Sequence, residues 1–96
     1  MFYKNYTEHI GNIGMDVELH YTTKNVPVVS FSLAIIDKYK TAEGVKERKT
    51  WVPVVAYDKV AQEFAGKPKG TKVLIEGRLQ TKGATVEVVV QNFMFL

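Results

Sequence analysis

Residues 46–62 read KERKTWVPVVAYDKVAQ, and the stretch changes period halfway along. From Thr50 to Tyr57 it is rich in β-branched and aromatic residues, the composition of a strand. From Asp58 onward Val60, Ala61 and Phe64 recur at helical spacing. Asp58 suits a helix N-cap, Gly66 closes the helix and Pro68 keeps it from resuming. Pro53, inside the strand, has no N–H to give a ladder, so an outward-facing nitrogen or a bulge is expected there. A strand therefore runs straight into one short helix.

Upstream, Val26–Asp37 reads as a strand with Val29, Phe31, Leu33 and Ile35 on one face and Ser30, Ser32 and Ala34 on the other. Lys38–Lys49 reads as a long connection with its tip at Thr41-Ala42-Glu43-Gly44. Phe2–Ile13 is β-prone, bends at its glycines and has two mixed faces, as edge strands do. Asp16–Asn25 is a polar hairpin region turning at Tyr21–Asn25. Downstream, Thr71–Leu79 predicts a strand with Val73, Ile75 and Leu79 inward and Lys72, Glu76 and Arg78 outward. A tight turn at Lys82-Gly83 leads to a last strand, Ala84–Leu96. Three strands, a helix and two strands predict one all-β domain over residues 1–96. The best match is an OB-fold, a five-stranded Greek-key barrel with its short helix between strands three and four. An SH3-like barrel has no need of a helix there.

A hydrophobic share of 46% and a charged share of 24% are those of an ordinary globular chain. With no cysteine, disulfides and thiolate zinc sites are excluded. His9 and His20 have no carboxylate placed to complete a metal site, and no cofactor is expected. The opening MFYKNYTEHIG lacks a signal-peptide core, and no apolar run reaches membrane-span length. A soluble cytoplasmic protein with no membrane partner is the expectation. Asp16, Glu18 and Glu76 have no paired acid at a telling spacing. No nucleophile motif or phosphate-cradling glycine loop occurs either, so no enzyme is expected.

The net charge is +3, and residues 38–49 carry the whole excess: Lys38, Lys40, Lys46, Arg48 and Lys49 against Glu43 and Glu47. A local basic excess points to a polyanion. Trp51 and Tyr57 beside it offer flat faces, and cations plus aromatic faces suit single-stranded nucleic acid. RNA stays open, since nothing in the pattern reads a 2′-hydroxyl.

Four blocks then carry a resemblance. Gly11-Asn12-Ile13-Gly14-x-Asp16-x-Glu18, Phe31-Ser32-Leu33-Ala34, Thr50-Trp51-x-x-Val54-Val55-Ala56-Tyr57-x-Lys59-x-Ala61 and Lys69-Gly70-Thr71-x-Val73-x-Ile75-Glu76-Gly77-Arg78-Leu79 stand in order along nearly the whole chain. Together they resemble the bacterial-type single-stranded DNA-binding (SSB) family. The resemblance implies sequence-independent binding and protection of single-stranded DNA in replication, recombination and repair, by a homotetramer of OB-folds. It implies base stacking by Trp51, Tyr57 and Tyr39, with Phe31 and Tyr21 as further candidates. Phosphate candidates are Lys38, Lys40, Lys46, Arg48, Lys49, Lys59, Lys69, Lys72, Arg78 and Lys82, though Lys67 and Lys69 are also placed to serve the helix dipole. Phe2, Tyr3 and Tyr6 are assigned to subunit pairing through the first strand. Three departures stand out: the arm between the last two strands is cut to Gln80–Ala84, Pro53 stands where a basic residue is common, and the sequence stops at Leu96. Neither the family's acidic, Phe-ended tail nor a partner recruited through it is therefore expected. Two alternatives remain at this point: a dimeric primosome-type accessory protein bridging DNA and partners, and an OB-fold used only for protein contact.

Overall fold

The sheet closes on itself. In the computed structural model, which describes residues 2–96, the elements are β1 (Thr7–Ile13), β2 (His20–Tyr21), β3 (Pro27–Thr41), β4 (Gly44–Tyr57), α1 (Asp58–Phe64), β5 (Lys72–Lys82) and β6 (Thr85–Phe95). The strand order is β1-β5-β6-β4-β3-β2, and β1 also pairs with β3. Five strands thereby make a barrel, and the two-residue β2 is an appendage on β3. Neighbours are antiparallel except β4 and β6, which run parallel at Val54↔Val88 and Val55↔Val89. This is the OB-fold topology.

Period-two alternation turns one face of each strand inward. Val29, Phe31 and Leu33 from β3, Val54 and Ala56 from β4, Val73 and Ile75 from β5 and Val88 and Val90 from β6 fill the interior. Helix α1 plugs one end with Ala61 and Phe64. The Phe64 ring centroid lies 5.2 Å from Phe31, 4.9 Å from Phe93 and 5.1 Å from Phe95. These separations are typical of stabilising aromatic pairs.

β5 and β6 come close at Gly77, where a Cβ would land on the Val89 carbonyl. The partner there is backbone and has no rotamer to yield. Gly77→Ala is expected to destabilise the barrel by about 1–3 kcal/mol through overpacking. An unchanged urea midpoint in the variant would contradict this.

Several expectations need correction. The segment Lys38–Lys49 is not a loop: β3 and β4 pair without a slip from Val28↔Tyr57 to Thr41↔Gly44. The distal ribbon is solvated on both faces, so it carries no apolar period to reveal it. The first strand starts at Thr7, not Phe2. Ahead of it the Asn5 side chain donates to the Leu79 carbonyl and accepts from the Leu79 N–H, both at 2.8 Å. A side chain thus takes the place of a ladder rung. Leu79 is exposed rather than inward. β1 pairing ends at Thr7↔Gly77, and Leu79 lies beyond that rim. β6 also carries one extra residue, Gln91, opposite the Glu76–Gly77 step.

Asp58 is the first residue of α1, with φ 57, and makes no capping hydrogen bond. Aspartate is among the few residues that tolerate this left-handed region. Neither Lys67 nor Lys69 serves the helix dipole, because the last turn of α1 holds no basic residue. Lys67 Nζ instead sits 4.4 Å from the centre of the Phe95 ring, and the Lys69 N–H donates to Asp16 Oδ1 at 2.8 Å. Pro53 fits without a bulge. The Gly14 N–H donates to the Ser32 carbonyl, so the backbone groups of Ser32 face β1. Its β4 partner Pro53 then turns its nitrogen away from β3.

Candidate nucleic-acid interface

Residues directly opposed on neighbouring strands share a face of the sheet. Lys72 opposes Asn12, Asn12 opposes Ala34, and Ala34 opposes Trp51. These four form a row across β5, β1, β3 and β4 on the outside of the barrel. Three inter-strand spacings set its ends about 14 Å apart. Along this row the surface drops into an open groove of about 300 Å³, lined by Ile10, Gly11, Asn12, Ala34, Ile36 and Lys72. Its lining is mixed, with the apolar side chains of Ile10, Ala34 and Ile36 beside the polar Asn12 and Lys72, and Trp51 stands at the β4 end of the row.

The Trp51 side is built for exposure. The indole is 53% accessible, and Lys49 Nζ lies 5.7 Å from its centre. A Cβ at Gly14 would overlap indole Cζ3. Glycine at position 14 therefore lets the ring lie down on the β1 end. Gly14→Ala is expected to leave the barrel folded, because a half-exposed side chain can swing away. Trp51 emission should shift to longer wavelength, and oligonucleotide affinity should fall. An unaltered emission maximum would show that Gly14 does not set the ring.

The other stacking candidates lie elsewhere. Tyr57 shares the outer face of β4 with Trp51, six residues on, and is half-buried. Gln80 Nε2 donates to its hydroxyl at 3.5 Å and to the buried Glu87 Oε1 at 2.8 Å. Lys82 Nζ stands 3.8 Å from the same Glu87 carboxylate. Tyr21 is exposed on β2 opposite Pro27, next to the Val28 that opposes Tyr57. Tyr39 is 40% accessible with the Arg48 guanidinium 5.1 Å from its ring centre. Phe31 leaves the stacking set: only 3% accessible, its ring packs on Phe64 inside the barrel.

The cations are spread unevenly. Lys38, Lys40 and Lys49 share the Trp51 face of the ribbon, while Lys46 and Arg48 take the other. Lys38 lies 3.9 Å from Glu47 and Lys46 3.3 Å from Glu43, so part of the ribbon charge is neutralised locally. Lys59 on α1, Lys69 in the α1–β5 loop, Arg78 on β5 and Lys82 at the hairpin end are exposed but stand apart from the groove. Sequence reasoning missed Ile10, Asn12 and Ile36. Asn12 sat inside the Gly11–Gly14 motif without a role, and Ile36 was hidden in the residues leading to the supposed loop.

Phe2, Tyr3 and Tyr6 are exposed. The Tyr6 hydroxyl donates to Glu76 Oε2 at 3.2 Å. Its phenol titrates above the ordinary value of 10.0, raised by desolvation, by that hydrogen bond and by the negative charges of Glu76 and Glu8. Among the described residues no group of three or more His, Asp or Glu side chains converges as for a metal ion. No described helix is long and apolar enough to cross a membrane.

A family model described as "Single-strand binding protein family" matches residues 5–95. The chain belongs to the single-strand binding protein family. A curated single-stranded DNA-binding protein of Streptococcus pneumoniae is 32% identical over 97 residues, covering 91% of this chain and 62% of that protein. Its namesake in Rickettsia felis is 36% identical over 100 residues, covering 88% and 64%. Single-stranded DNA-binding protein 1 of Chlorobaculum tepidum is 40% identical over 75 residues, covering 76% and 46%. This chain thus spans less than two thirds of the length of these SSB relatives. Among solved structures, a Plasmodium falciparum SSB in complex with ssDNA superposes with a TM-score of 0.84 at 20% identity, covering 100% of this chain and 97% of that one. The protein PriB of Ralstonia solanacearum gives 0.81 at 16%, covering 97% and 98%. At these identities the likeness establishes the shared fold.

Proposed function

We propose that the chain binds single-stranded DNA without sequence preference, in replication, recombination and repair, and performs no catalysis itself. The observation that carries this reading is the Lys72–Asn12–Ala34–Trp51 row. A half-exposed indole with a lysine beside it ends a row whose groove combines Ile10, Ala34 and Ile36 with Asn12 and Lys72. Bases stack on the ring and pack along Ile10, Ala34 and Ile36, while phosphates meet Lys49 and Lys72. Every base has a π-face, so the binding tolerates any sequence. Family membership over residues 5–95 supports the same conclusion.

Using about four cations for phosphates, the affinity for labelled oligo-dT should fall with salt along a log–log slope near −3. Duplex DNA should compete poorly, because the groove needs an unpaired base. A flat salt dependence, or equal competition by duplex, would sink the proposal.

Assembly belongs to the same reading. Residues Thr7–Gly11 of β1 pair with β5 alone, which leaves their other edge open. An open strand edge invites a second copy. Phe2, Tyr3 and Tyr6 flank it, and a homotetramer is expected over a dimer. Serine at both Phe2 and Tyr3 should reduce the mass measured by light scattering; an unchanged mass would remove these residues from the interface.

A further inference from the structure

Resting on that reading, we infer that single-stranded DNA crosses from one face of the β3–β4 ribbon to the other around the β4 edge, with Trp51 on the first face and Tyr39 on the second. The register is unbroken from Val28↔Tyr57 to Thr41↔Gly44, so the parity of each residue fixes its face. Trp51 opposes Ala34, and its face continues through Ile36↔Lys49 and Lys38↔Glu47. Tyr39 opposes Lys46, and its face holds Asp37↔Arg48. The two aromatic residues have opposite parity, and each carries its own cation: Lys49 at 5.7 Å from Trp51 and Arg48 at 5.1 Å from Tyr39.

Tyr39 stands five residues beyond Ala34, about 17 Å along the strand. A nucleic acid lying flat on one face reaches only one of these rings. The edge supplies the way across. Arg48 and Lys49 are consecutive on β4 and point to opposite faces, so a phosphate backbone rounding that edge is met by a cation on either side. Beyond Ile36 and Lys49 neither ribbon edge pairs with another described strand, which leaves the edge open. The right-handed twist of a two-stranded ribbon turns the edge progressively into the path.

The test is the dependence of Tyr39→Ala on oligonucleotide length, read by Trp51 quenching at low salt. Oligo-dT of about four and about sixteen nucleotides brackets the site sizes of single OB-folds. The expected result is equal affinity of the variant and the parent for the short oligonucleotide, with a loss of about fivefold or more for the long one. Arg48→Gln should show the same length dependence, and Tyr39→Phe should bind both lengths as the parent does. An equal loss at both lengths would put the two rings on one short path and overturn the crossing. No loss at the longer length would overturn it too. Failure of the parent itself to show quenching by either length would instead overturn the proposed function.

Discussion

Replacing Trp51 with alanine is expected to weaken single-stranded DNA binding by roughly 5- to 140-fold, the equivalent of about 1–3 kcal/mol for one stacked base. The ring is half exposed and rests on Gly14, so its removal opens no core cavity. Thermal stability should therefore change little, which separates a lost contact from a lost fold. Oligo-dT, oligo-dC and mixed sequences should be affected alike, because stacking reads no base edge. Trp51→Phe should recover much of the affinity. The salt slope should stay where it was, since no phosphate contact is removed; neutralising Lys72 should reduce it by about 0.7 instead. A loss confined to one sequence would contradict the stacking role.

Phe64→Ala is expected to cost about 3–5 kcal/mol of stability, the usual loss for truncating a buried phenylalanine. Its ring is fully buried and meets Phe31, Phe93 and Phe95 at once. Domains of this kind have only about 5–15 kcal/mol in total, so the variant should sit near the limit of folding. Urea unfolding gives the number, and DNA affinity per folded molecule should be preserved. A loss below about 1 kcal/mol would mean that the other three rings close over the gap.

Both residues were visible in the sequence, for different reasons. Phe64 falls on a helical stripe after a strand, and that juxtaposition placed the plug and led to the OB-fold. Trp51 falls in a strand with cations just ahead of it. The alternation from Val29 to Leu33 gave the inner wall for the same reason, since a face buried along its length imposes period two. Phe31 follows the same inward alternation, and its ring is accordingly buried against Phe64 and offers no face for stacking.

What the sequence hid was the solvated structure. The distal ribbon from Asp37 to Lys49 has water on both sides, so hydrophobicity says nothing about its pairing. The groove was hidden because Lys72, Asn12, Ala34 and Trp51 belong to four strands, and only the register aligns them. Leu79 misled because its alternation is correct while the strand that would cover it has ended. The opposite placement of Tyr39 and Trp51 needed one more fact, a ribbon without a bulge.

The most direct test of the central claim is a fluorescence titration of Trp51, the sole tryptophan, with oligo-dT at several salt concentrations and with duplex DNA alongside. Strong quenching by the single strand, weakened by salt and absent with duplex, is the predicted result. A folded protein whose tryptophan emission ignores oligo-dT at low salt would contradict base stacking at Trp51, and with it the account of the groove.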